Sequence, residues 1–174
     1  MYHGENVYLS EYTKDDLQNV VDLINDWEIQ STLNPCLISP YTLEDEIEWF
    51  EANRKNKNRA HSFAIRTNKD NTYIGGCGYH GVSHKNRTCY VGIMISNKEY
   101  QNKGYGTEAF ELLINYLFKE MNIRKILLNV FATNKRAIHV YEKLGFKIEG
   151  TLKDHVYRDG QYVDEVVMAK FNNE

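Results

Sequence analysis

Two prolines among 174 residues, with no low-complexity tract and no repeat, argue against disordered linkers and for one continuous domain spanning residues 1–174. Cysteine is also scarce. Cys36, Cys77 and Cys89 are odd in number and include no C-x-x-C pair, which argues against a disulfide framework or zinc knuckle and for a reducing cytoplasm. No apolar run approaches the ~20 residues that span a bilayer. The opening MYHGENVYLSEY lacks the basic-then-apolar layout of a signal peptide, so no membrane partner is expected. A net charge of -3 gives no support to nucleic-acid binding. His80 and His84 fall on a strand and a turn without a third ligand in reach, so no metal is expected. No glycine-flanked serine or Cys/His signature supports a covalent enzyme.

What is present reads as a soluble α/β chain. Hydrophobic residues make up 42% and charged residues 26%. Val7 to Leu9 is a short strand. Thr13 opens a helix with the capping pattern T-K-D-D, and Leu17, Val20, Val21 and Ile24 form its apolar stripe. Ser31 to Pro40 reads as loop, and Thr42 starts a second helix with T-L-E-D. RKNKNR, from Arg54 to Arg59, ends that helix at the surface. Three strands follow at His61–Thr67, Thr72–Gly81 and Thr88–Ser96; in the last, Cys89, Val91, Ile93 and Ile95 alternate onto one face. Ala109, Leu112, Leu113, Tyr116, Leu117 and Met121 then follow helical spacing. Ile126–Phe131 suits a central strand, and Asn134–Lys143 a short helix stopped by Gly145. Phe146–Leu152 and Tyr162–Phe171 are the last strands. The order β-αα-βββ-α-β-α-ββ predicts a mixed sheet with helices on its faces.

Between the third strand of that series and the long helix stands YQNKGYGT, Tyr100 to Thr107. The first N–H groups of a helix starting near Gly104 have no partner inside it and, with the helix dipole, favour an anion. Glycines at 104 and 106 let the backbone approach a ligand. Lys103 either adds charge there or points to solvent. The stretch has neither the P-loop pattern nor the dinucleotide fingerprint. It matches Q-x-x-G-x-G.

A second signature follows about thirty residues on: NKRAIHVYEKLGF, Asn134 to Phe146. N-x-x-A-x-x-x-Y-x-K-x-G-F behind Q-x-x-G-x-G resembles the GNAT superfamily of acetyl-CoA-dependent N-acetyltransferases, and the predicted element order is that of the GNAT fold. The ends, ENVYLSEYTKDDL and YRDGQYVDEVVMAKF, are similar to the branch holding ribosomal-protein N-terminal acetyltransferases and bacterial spermidine N-acetyltransferases.

The resemblance implies a set of roles. Gln101, Asn102, Lys103, Gly104, Tyr105, Gly106 and Thr107 cradle the coenzyme A pyrophosphate. Ile93, Met94 and Ile95 lie on a strand whose edge pairs with the pantetheine arm, beside a splay between Thr88–Ser96 and Lys125–Phe131. Asn134 contacts the pantetheine or starts the short helix; Ala137 is small where the cofactor passes. Arg136 and Lys143 reach coenzyme A phosphates. Tyr141 matches the family's general acid, protonating the thiolate that leaves when an amine attacks the thioester directly. The other reading of Tyr141 is a core residue with a wet tip. The base is not placed: where the branch often carries an acid, this chain has Cys89-Tyr90-Val91. His80 is a candidate base or a structural histidine.

LEDEIEWFE, Leu43 to Glu51, is either an acidic collar for a polycation such as spermidine or a solvated helix face. The expected activity is acetyl transfer to a primary amine, with polyamine acetylation or a non-catalytic acyl-CoA binding module as alternatives. A homodimer is the expected assembly.

Overall fold

A computed structural model describes residues 2–33, 40–55 and 61–172. Its strands are β1 (Tyr2–His3), β2 (Val7–Ser10), β3 (His61–Thr67), β4 (Tyr73–Ser83), β5 (Thr88–Ile95), β6 (Lys125–Phe131), β7 (Lys147–Arg158) and β8 (Gln161–Phe171). They form one sheet in the order β1-β2-β3-β4-β5-β6-β8-β7. The β5–β6 pair is parallel; the other pairs are antiparallel. The helices are α1 (Leu17–Ile24), α2 (Trp27–Leu33), α3 (Leu43–Lys55), α4 (Tyr105–Lys119) and α5 (Lys135–Lys143). Among the described residues, no helix is long and apolar enough to cross a membrane.

The core follows from strand alternation. Cys89 and Val91 of β5, Ile126, Leu128 and Val130 of β6, and Val166 and Met168 of β8 all point to one face of the sheet. There they meet Ala109, Phe110, Leu113, Ile114 and Leu117, the buried stripe of α4. Burying a side chain as large as Phe110 or Leu113, both fully enclosed, contributes about 1.5–3 kcal/mol. The opposite face carries a smaller cluster of Val20, Ala64 and Tyr73 under α1.

Several boundaries differ from the sequence expectation. The first helix is split. A 3-10 turn, Lys14–Asp16, leads into α1, whose C-cap is Asn25. The Asp16 carboxylate accepts the Thr13 N–H and hydroxyl, each at 2.7 Å. Asp26 then accepts the Glu28 N–H at 2.9 Å and starts α2, so Ser31 to Leu33 are helical rather than loop. The rest of that expected loop up to Ile38 and Ser39, and residues 56–59 of RKNKNR, lie outside the described residues; Arg54 and Lys55 close α3. β7 runs to Arg158 rather than Leu152, because a bulge at Lys153–His155 lets pairing with β8 resume at Val156. The short β1, folded back onto β2, was not expected.

Candidate functional site

The two half-sheets part in the middle. β5 pairs with β6 only over Thr88–Tyr90 and Lys125–Leu127. Beyond that, β5 stays bonded to β4 as far as Ile95, and β6 to β8 as far as Phe131. Past that point the inner edges of β5 and β6 are no longer paired with each other, and their backbone groups face a gap. Unpaired main-chain groups inside a fold are costly unless something fills the space. A cleft of about 630 Å³ occupies the gap. Val91 to Ile95 line one side of it, and Asn129 to Phe131 the other.

One end of the cleft meets the N-terminus of α4. Asn97 caps a 3-10 turn, Lys98–Tyr100, by accepting the Glu99 N–H at 3.1 Å. Gln101 follows. Its amide nitrogen donates to the Ile95 carbonyl at 2.8 Å, and its amide oxygen accepts from Arg136 Nη1 at 3.4 Å. The loop is thereby tied to the end of β5 and to α5. Gly104 caps α4 at φ +89°, a left-handed value that a Cβ penalises. Among the described residues, none of the N–H groups of Gly104 to Thr107 has a carbonyl of the chain as acceptor. Four donors therefore converge where the helix dipole is positive.

α5 supplies the floor. Asn134 caps it, accepting the Ala137 N–H at 3.1 Å. Its far end is a Schellman cap: the Gly145 N–H donates to Glu142 O at 2.9 Å and the Phe146 N–H to Tyr141 O at 3.0 Å, with Gly145 at φ +86°. This fixes Tyr141, whose ring packs 5.6 Å from Phe110 and 6.1 Å from Phe146. Burial pushes its phenol up to about 12, so it is a neutral donor at physiological pH.

Of the residues expected from the sequence, Ile93, Met94, Ile95, Gln101, Asn102, Gly104, Gly106, Thr107, Asn134, Arg136, Ala137 and Tyr141 line this cleft. Lys103 and Tyr105 do not; they border a separate polar hollow with Lys69 and Glu99. Residues 102–104 turn through left-handed angles at Asn102 and Gly104, and this carries the Lys103 side chain away. Lys143 is exposed and is not among the lining residues either. No residue of α3 lines the cleft, so the acids of Leu43–Glu51 are not at its wall. His80 is at the cleft, exposed and stacked on Tyr90 at 5.6 Å.

The sequence reading missed Glu28, Ile29 and Thr32 of α2, and Asn129 and Glu165 of β6 and β8. Glu165 is 7% exposed and its Oε2 accepts Asn129 Nδ2 at 3.1 Å. The signal was present as an acid inside the run D-E-V-V-M-A, an unusual placement on a strand buried on both sides.

A divided parallel pair flanked by a capped helix with free amides defines a class, and the comparisons agree with it. The profile of the acetyltransferase (GNAT) domain family matches residues 6–147. The chain belongs to that family. It is 39% identical over 93 residues to the spermidine N(1)-acetyltransferase of Escherichia coli (strain K12), covering 53% of this chain and about half the length of that relative. It is 29% identical to the spermidine N(1)-acetyltransferase of Vibrio cholerae, over 86% of this chain and 83% of that one. The crystal structure of spermidine N-acetyltransferase from Vibrio cholerae in complex with CoA and spermine superimposes with a TM-score of 0.85 at 25% identity, covering 95% of each chain.

Proposed function

We propose that this protein is an acetyl-CoA-dependent N-acetyltransferase that moves the acetyl group directly to a primary amine while both substrates are bound. The observation that carries this reading is the divided β5–β6 edge opening onto the unpaired amides of Gly104 to Thr107. Those amides suit the pyrophosphate of coenzyme A, and the freed edge of β5 at Ile93 to Ile95 suits the pantetheine arm. Asn102 and Arg136 border that end, and Ala137 leaves room beside it. Gln101 supports the loop through its bonds to Ile95 and Arg136. Asn134 acts by capping α5. Tyr141, neutral and at the cleft wall, donates its proton to the departing sulfur. Lys143, exposed at the end of α5 and outside the cleft lining, reaches the cofactor only from the solvent side.

The polyamine reading is favoured by Glu28 and Glu165, two carboxylates on the cleft wall that the strand sequences GCGYHG and TCYVG do not supply. Two buried thiols without a disulfide, Cys77 and Cys89, support a reducing compartment such as the cytoplasm. Exposed Ile148, Leu152 and Tyr157 on the outer strand β7 support a homodimer. The test is an acetylation screen over polyamines, amino sugars and N-terminal peptides, read as thiol release. Turnover with a polyamine and not with the others selects that acceptor. Coenzyme A binding without turnover on any amine replaces the enzyme with a binding module.

A further inference from the structure

An amine arrives as an ammonium and has no lone pair until a proton leaves. The expected base on the start of β5 is missing, since Cys89, Tyr90 and Val91 stand there. The sheet register brings a carboxylate from elsewhere. Ile126, Leu128 and Val130 of β6 point into the core under α4, so Asn129 and Phe131 point to the opposite face. Glu165 of β8 pairs with Phe131 and shares that face. Asn129 stands two residues beyond Leu127, the last β6 residue paired with β5, and so at the base of the gap. Tyr141, packed on Phe110 of α4, lines the same cleft as Glu28 and Thr32 of α2 and His80 and Tyr90 of β4 and β5.

We propose, resting on the acetyltransferase reading, that Glu165 is the proton acceptor for the incoming ammonium, held by Asn129 and drained to solvent through His155. Glu165 is buried at the cleft wall, where its carboxylate attracts an ammonium. Asn129 donates to Oε2 and fixes the carboxylate plane. His155 of β7, with a side chain 53% exposed, places Nε2 3.8 Å from the same oxygen. Oε1 has no protein partner among the described residues.

The step balances. The ammonium gives one proton to Glu165, and the freed nitrogen forms the C–N bond to the thioester carbonyl carbon. As the adduct collapses, the C–S bond breaks, the sulfur takes the Tyr141 proton, and the second nitrogen proton restores Tyr141. For Glu165 to pass the first proton to water through His155, the imidazole closes from 3.8 Å to hydrogen-bond reach, and one proton is released per acetyl transferred.

The experiment compares wild type, Glu165→Gln, Glu165→Asp and His155→Ala with the best amine from the screen, measuring kcat, KM, acetyl-CoA affinity by calorimetry and Tm. We expect Glu165→Gln to lower kcat at least hundredfold, with acetyl-CoA affinity and Tm held. Glu165→Asp should recover part of the rate. His155→Ala should lose several-fold in kcat and regain it with added imidazole, an effect that a structural histidine does not give. Equal kcat in Glu165→Gln and wild type overturns the proposal and leaves the enzyme reading standing. A loss of acetyl-CoA affinity or Tm that accounts for the rate, without rescue by Asp, also overturns it. A wild type that binds acetyl-CoA yet acetylates no amine removes both.

Discussion

Replacing Tyr141 by phenylalanine isolates one hydroxyl from everything around it. The ring packs against Phe110 and Phe146, and phenylalanine keeps those contacts. Among the described residues the hydroxyl has no protein hydrogen-bond partner, so its removal should change stability by less than about 1 kcal/mol and Tm by no more than about 4 °C. With its phenol at about 12, roughly one molecule in 10⁴ is ionised at pH 8, so wild type keeps the proton on hand. A missing general acid lowers the rate by ~10²–10⁴, which is about 2.7–5.4 kcal/mol at 1.36 kcal/mol per decade. Steady-state thiol release gives kcat, and calorimetry gives acetyl-CoA affinity. A kcat within fivefold of wild type would refute the acid role. So would a parallel loss of acetyl-CoA affinity, which would mark Tyr141 as a packing residue.

Further outcomes follow from the same geometry. A Cβ at Gly106 would stand 3.2 Å from Ile95 Cγ1, and Gly106 lines the cleft, so Gly106→Val should cut coenzyme A affinity at least tenfold while circular dichroism stays native; unchanged affinity removes the cradle. Burial pushes the Cys89 thiol up to about 12 and raises Cys77 further, so both should resist alkylation at pH 8 until the protein unfolds, as intact mass would report. Burial alone would raise the Asp16 carboxyl, but its bonds from Thr13 and Arg66 outweigh that and hold it below the ordinary value. A lowered folded-state value means stability present above the unfolded value of about 3.9 and lost as pH falls through the folded one. Asp16→Ala, which leaves Arg66 unpaired at 12% exposure, should cost about 3–5 kcal/mol, or roughly 6–20 °C in Tm, and flatten that acid limb; a shift under 2 °C would mean the pair is solvent-screened.

Local chemistry was the legible part. T-L-E-D at Thr42 forms the reciprocal cap the pattern implies, Thr42 N–H to Asp45 at 2.8 Å and Asp45 N–H to Thr42 Oγ1 at 3.2 Å. K-L-G-F at the end of α5 closes as a Schellman cap around Gly145. Such motifs act within four or five residues, so the chain carries them wherever it goes. The second short helix, Trp27–Leu33, was harder to see, because the expected apolar stripe ended at Ile24 and Ser31 to Pro40 read as loop. Lys103 and Tyr105 were grouped with the loop by adjacency, yet two left-handed residues turn them toward a different hollow.

The sequence by itself determined most of the elements, though not β1 or α2, together with the glycine-started helix at 104–107 and the tyrosine held before Gly145, since each depends on short-range sterics and hydrogen bonds. The insertion of β8 between β6 and β7 belongs to the tertiary structure alone. It sets β8 along the outer edge of β6, and it carries Glu165 to within 3.1 Å of Asn129 across 36 positions of chain. Strand order is settled by which hydrophobic faces bury together over the whole domain, and no local pattern records that.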